Sequence, residues 1–275
     1  MRNRHNSRLI LLYKKERDTI MCIKIAITYE KGGVAKTTTA VNVSAILAEQ
    51  GYRVLLIDLD PQSYATSYYS LYDDSVPSIN DVMQGRVPAK DAVKACGFFG
   101  LQMIPSNFAF KEIETFLMSK TRGQDFFLKN ALNDIEDDFD FILMDCPPSG
   151  ERIKTNAMAF ADYVMLPTIP DDYAVQGLLC MSTFIVDIVK YVNPSLAVLG
   201  VLITIDERTA NKVAYKTALQ SQDIFPCFTT SIRKNTKLSE AINAHQPINV
   251  YEPKSNGCQD YKALTDEILT KLHLR

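Results

Sequence analysis

The sequence predicts an α/β fold: a mostly parallel, doubly wound sheet flanked by helices. Short apolar runs rich in Ile, Val and Leu recur along the chain, and stretches with helical periodicity lie between them. Continuous runs, rather than strict alternation, mark strands covered on both faces, and parallel strands need such helical crossovers. Carboxylates also follow two of the runs directly, at the strand ends where open α/β sheets bind ligands.

In chain order the expected strands are Ile23–Thr28, Val54–Ile57, Leu101–Ile104, Phe141–Met144, Tyr163–Leu166 and Val198–Ile203. The expected helices are Thr37–Gln50, closed by Gly51; Gly123–Glu136; Asn156–Ala161; Ala174–Tyr191, closed by Asn193-Pro194; Asn211–Gln222; and Tyr261–Leu274. Gly past the last turn and Pro shortly beyond it are helix stop signals. The Tyr-rich segment Ser63–Asp74 and the turn at Val87-Pro88 read as an excursion on the ligand side of the sheet. No internal repeat or low-complexity linker divides the chain after residue 21.

Of 275 residues, 30 are Lys or Arg, 32 are Asp or Glu and 47% are apolar, which suits a globular protein and excludes a strongly cationic nucleic-acid binder. The balance hides a split. Arg2, Arg4, Arg8, Lys14, Lys15 and Arg17 against Glu16 and Asp18 make residues 1–20 basic, and the remainder is acidic. Residues 1–20 are therefore read as a basic extension, disordered or an upstream mis-start, ahead of a single domain over 21–275. The six cysteines, Cys22, Cys96, Cys146, Cys180, Cys227 and Cys258, form no C-x-x-C pair, and His5, His245 and His273 show no ligand spacing. A reducing, cytoplasmic setting is the simplest reading. The run Leu196–Ile205 is far short of a membrane span, and the apolar patch Leu9–Tyr13 is too short for a signal peptide.

The segment Tyr29-Glu30-Lys31-Gly32-Gly33-Val34-Ala35-Lys36-Thr37-Thr38 lies between an expected strand and an expected helix, the context a phosphate loop requires. Small residues let backbone N–H groups converge on phosphate oxygens, the helix N-terminus adds partial positive charge, a lysine neutralises the β and γ phosphates, and a hydroxyl ligates Mg²⁺. Lys36 and Thr37 fill the last two roles. The general pattern G-x-x-x-x-G-K-[ST] is not met, because Glu30 and Ala35 occupy its glycine positions. The bland alternative is a strand-turn-helix junction whose glycines only make a tight turn. Asp58 and Asp60, in Leu55-Leu56-Ile57-Asp58-Leu59-Asp60-Pro61-Gln62, and Asp145, closing Phe141-Ile142-Leu143-Met144, argue against it. Three carboxylates at strand ends beside a Lys-Thr loop describe a metal-nucleotide site better than isolated turn formers do.

Lys31 before Gly32-Gly33 resembles the deviant Walker A motif, KGGVGKTT, of the ParA/MinD family, with Ala35 as the departure. The resemblance covers nearly everything after Met21. Pro167–Leu178 is similar to the family's P-x-x-x-E-x-x-x-x-G-L stretch, with Asp171 or Asp172 in place of the Glu. Ile232–Ala241 resembles IPRNVRLSEA, and Tyr251–Gly257 resembles YDPKSKG, which favours the ParA/Soj branch.

The resemblance implies a P-loop NTPase fold of the deviant Walker A (SIMIBI) type and a slow, ATP- and Mg²⁺-dependent DNA-partitioning ATPase. It implies a nucleotide loop of Lys31, Gly32, Gly33, Val34, Ala35, Lys36, Thr37 and Thr38, with Mg²⁺ held by Thr37 and, through water, by Asp58 and Asp145. Asp60 would orient the attacking water, and Lys31 would reach the partner's nucleotide in an ATP-sandwich homodimer. Non-specific DNA, contacted through Arg208, Arg233, Lys234 and Lys237, and a ParB-like centromere-binding protein are the further implied partners, placing the protein at the nucleoid. Competing readings are a MinD-like membrane ATPase and a metabolic ATP-dependent ligase on the same scaffold. The stripe Tyr261, Leu264, Ile268, Leu269 and Leu272 has a mixed-sign polar face, better suited to closing a core than to lying on lipid. Cys146, directly after Asp145, is read as packing rather than as a cluster ligand.

Overall fold

A computed structural model of the chain describes residues 21–275, and the expectation for residues 1–20 lies outside them. The elements run β1 (Ile23–Ile27), α1 (Lys36–Glu49), β2 (Val54–Asp58), α2 (Tyr64–Tyr68), α3 (Ile79–Met83), α4 (Ala89–Ala92), β3 (Lys94–Ala95), β4 (Gln102–Ile104), α5 (Ile113–Met118), α6 (Phe127–Leu132) and β5 (Phe141–Asp145). They continue α7 (Glu151–Phe160), β6 (Tyr163–Thr168), α8 (Ala174–Tyr191), β7 (Ala197–Asp206), α9 (Ala210–Ser221), β8 (Cys227–Arg233), α10 (Thr236–Asn243), α11 (Ile248–Tyr251) and α12 (Asn256–Lys271).

The strands form one sheet in the order β3-β4-β2-β5-β1-β6-β7-β8. All neighbours are parallel except the short edge strand β3 on β4. Residues of β2 and β5 are buried throughout, as two covered faces require. Side chains of β2 alternate between two cores: Leu55 and Ile57 join the helices α5 to α8, whereas Val54 and Leu56 join α1 and α12. The chain leaves β1 toward β2 on one side and reaches β6 on the other, so the end of β1 is a topological switch point.

Several boundaries differ from expectation. Gly150 at φ 99° starts α7 five residues before Asn156. The carboxylate of Glu114, from α5, caps it by accepting from Ile153 N at 2.9 Å. α12 begins at Asn256 rather than Tyr261 because Ser255 Oγ accepts from Cys258 N. The expected helix over 123–136 shrinks to α6, because Gly123 turns at φ 68° and the Asn156 side chain accepts from Leu128 N. The helix α8 has the expected bounds. At 18 residues and mean hydropathy 1.3 it is long and apolar enough to cross a membrane by length and composition, yet it lays Leu178, Met181, Ile185 and Ile188 into the core against the sheet.

Candidate functional site

The loop from Glu30 to Ala35 joins β1 to α1 at the switch point. Gly33 sits at φ 74° and Ala35 at φ 60°, ψ 32°, the left-handed region that glycine occupies freely and alanine does not. This conformation turns the chain into α1, whose N-cap carries no side-chain cap. The first-turn N–H groups are thus left to an anion. A Cβ built on Gly32 or Gly33 would meet nothing within 4 Å, so open space lies above the loop. Thr204 Oγ1, from β7, donates to Val34 O and fastens the loop from behind. Lys36 is 7% exposed and its ammonium donates to Lys31 O at 3.0 Å, arched back over the loop. Burial pushes that ammonium below its ordinary value against the attraction of Asp145.

Parallel pairing sets the carboxylates. Asp58 pairs in register with Asp145, and Asp145 with Ile27, so β2 and β5 deliver both carboxylates level with the end of β1. Asp58 is fully engaged: Oδ1 accepts from Asp60 N, and Oδ2 accepts from Thr66 N at 2.8 Å and Thr66 Oγ1 at 2.7 Å. Burial nonetheless pushes it up to about 6. Asp145 is 1% exposed and neither oxygen has a hydrogen-bond partner. Burial, then the charge of Asp58, hold it well above the usual carboxylate range; the Thr37 hydroxyl opposes this without reaching hydrogen-bond geometry. Asp60 Oδ1 accepts from Gln62 N.

An orphaned buried carboxylate beside a hydroxyl and an uncapped helix N-terminus fits a hydrated divalent cation shared with phosphate oxygens. Among the described residues no group of three or more His, Cys, Asp or Glu is placed to hold a metal by itself. A cation here would therefore take most of its ligands from phosphate and water. A cavity of about 920 Å³ opens over the loop, lined by Gly33, Lys36, Thr37 and Asp60, and further out by Tyr64, Glu114 and His245.

The structure thus brings together Gly32, Gly33, Ala35, Lys36, Thr37, Thr38, Asp58, Asp60 and Asp145, with Val34 buried beneath. Lys31 does not line that cavity, and its ammonium is paired with Asp171. Asp172 instead accepts from Tyr215 OH, which separates the two candidates for the Glu position. Three of the four basic candidates carry partners: Arg233 grips Asp260 through its backbone N and guanidinium, Lys234 pairs with Glu207 at 2.8 Å and Lys237 with Glu240 at 2.7 Å. Arg208 is exposed and has no ion pair among the described residues. Of the tyrosines, Tyr68 and Tyr69 are buried, donating to Gln246 O and Val41 O, while Tyr64 is 62% exposed at the cavity mouth. Sequence reading missed Thr66, Thr204 and Glu114, whose contacts lie 8 to 170 positions away along the chain.

A family model described as an AAA domain matches residues 22–198. The sporulation initiation inhibitor protein Soj of Bacillus subtilis is 35% identical over 246 residues, 89% of this chain and 97% of that protein. The chromosome partitioning protein ParA of Myxococcus xanthus is 34% identical over 251 residues, 90% of this chain and 88% of that protein. Among solved structures, a cobyrinic acid a,c-diamide synthase from Mycobacterium smegmatis with bound ADP and magnesium superposes with a TM-score of 0.81 at 30% identity, covering 92% of this chain and 96% of the other.

Proposed function

The chain belongs to the family of ParA and Soj partitioning ATPases, and we propose that it works as an ATP-switched homodimer on DNA, with each step assigned to residues of the loop and the strand-end carboxylates. The observation that carries the assignment is Asp145: buried, unpartnered and level with the loop that ends β1.

Phosphoryl transfer to water rests on charge neutralisation and on in-line positioning of the water. The N–H groups of the loop and the Lys36 ammonium bind the phosphates of ATP. The Thr37 hydroxyl and, through water, Asp145 would hold a Mg²⁺ ion, which would supply charge neutralisation at the phosphates. Asp58 holds Asp60 through its backbone N–H, and Asp60 orients the attacking water. Lys31 leaves Asp171 and reaches the partner's nucleotide, so ATP is the dimerising ligand. Ala35 keeps turnover slow, because its methyl sits on the loop in a strained conformation.

DNA contact is non-specific, through phosphates. Arg208 is the leading residue, because Arg233, Lys234 and Lys237 are held by carboxylates. A ParB-like partner stimulates hydrolysis, and the protein works in the cytoplasm at the nucleoid. ATP turnover and molecular mass with and without nucleotide test this reading; a chain that ignores ATP and stays monomeric would contradict it. The superposition on a diamide synthase gives the ligase reading its one specific support. It calls for ATP turnover that depends on a small carboxylic acid and an amine donor rather than on DNA and a protein partner.

A further inference from the structure

One buried carboxylate fastens both ends of the segment that carries Asp60. Asp58, closing β2, accepts from Asp60 N at 3.0 Å through Oδ1; through Oδ2 it accepts from Thr66 N at 2.8 Å and from Thr66 Oγ1 at 2.7 Å. Between those two anchor points, Asp60, Pro61, Gln62 and Tyr64 line the cavity over the phosphate loop. Thr66 is fully buried on α2, and its hydroxyl also accepts the Ser106 N–H at 2.9 Å. Ser106 lies two residues past β4, the parallel neighbour of β2. A single hydroxyl therefore joins α2 to the ends of two adjacent strands. Hydrogen bonds to a buried carboxylate are strong and fix its orientation. Without the hydroxyl, Ser106 N–H loses that acceptor and Asp58 Oδ2 keeps one donor of two.

We propose that Thr66 is a positioning residue for ATP hydrolysis: its hydroxyl holds the Asp58 carboxylate, and Asp58 in turn holds the backbone of Asp60. The inference rests on the assignment of Asp60 to the attacking water. Thr66 does not line the cavity, so its effect reaches the reaction through these hydrogen bonds and not by touching the nucleotide. Phosphate binding by the loop N–H groups and Lys36 uses none of them. Loss of the hydroxyl therefore slows the chemical step and spares ATP affinity.

Single-turnover hydrolysis at saturating ATP-Mg²⁺, ATP affinity, and amide hydrogen exchange over residues 58–67 test the proposal on the full chain as wild type, Thr66→Val, Thr66→Ser and Asp60→Ala. Valine keeps the branched shape and removes the hydroxyl, whereas serine keeps the hydroxyl. Thr66→Val is expected to hydrolyse ATP about tenfold more slowly, with ATP affinity within about twofold of wild type and faster exchange across the segment. Thr66→Ser is expected to stay within about twofold of wild type in all three measurements. If Thr66→Val does not fold, Thr66→Ala makes the same comparison. An unchanged rate in a folded variant without the hydroxyl, equal rate losses in Thr66→Val and Thr66→Ser, or a loss of ATP affinity as large as the loss of rate would overturn the proposal. An Asp60→Ala variant that hydrolyses ATP at the wild-type rate would overturn the Asp60 assignment itself.

Discussion

Asp145 illustrates how much of the site is chemistry held in waiting. Its burial without a partner is unfavourable in the nucleotide-free chain, and the pKa shifts give this a pH signature. Asp58 rises from 3.8 to about 6 and Asp145 moves in the same direction. A carboxyl raised in the folded state binds its proton more tightly there than in the unfolded chain. Its contribution is therefore most favourable at low pH and is lost as pH rises through the folded value. Asp145→Asn should accordingly melt above wild type at pH 7.5, and the gap should close toward pH 5; a gap constant across that range would contradict the shift. The same variant should lose Mg²⁺-dependent tightening of ATP binding. Ala35→Gly should raise stability by about 1 kcal/mol in urea unfolding, because glycine adopts the left-handed loop conformation freely, and it should speed ATP turnover. The loop and the three carboxylates were legible in the sequence because each lies beside the strand that places it. Thr66, Thr204 and Glu114 were not, because their roles come from partners 8 to 170 positions away along the chain, which residue type alone does not reveal.

At the scale of elements, the helices α7 and α8 each depend on one close approach. A Cβ on Gly177 would lie 2.4 Å from the Tyr29 hydroxyl, which donates to Ala174 O and ties the start of α8 to the strand that enters the loop. Gly177→Ala should cost about 1 to 3 kcal/mol and weaken nucleotide binding by shifting Tyr29. Glu114→Ala should remove the cap on α7 at about 1 kcal/mol, read as a lower unfolding midpoint. Strands buried on both faces were legible from their unbroken apolar runs, as was α8 from its periodicity and its Asn-Pro stop. β8 was not, because Thr229, Thr230 and Ser231 interrupt its pattern at the sheet edge. The N-terminus of α7 was hidden for a different reason: its capping carboxylate comes from another helix.

For the molecule as a whole, the acidic body sharpens the question of DNA. Three of the four basic candidates spend their charge within the chain, so Arg233→Ala would break the clamp on Asp260 before it reported on DNA. Arg208→Glu is the cleaner probe: it should weaken binding to any DNA sequence and leave ATP binding intact. The Lys31–Asp171 pair describes the single chain, and it must open when two copies close over ATP. The most direct measurement is the solution mass of the Asp60→Ala variant, in which the assigned water-orienting carboxylate is absent, with saturating ATP-Mg²⁺, with ADP-Mg²⁺ and without nucleotide. A doubled mass with ATP alone, abolished when Lys31→Ala is added, is expected; a monomeric mass at saturating ATP would contradict the ATP-sandwich homodimer.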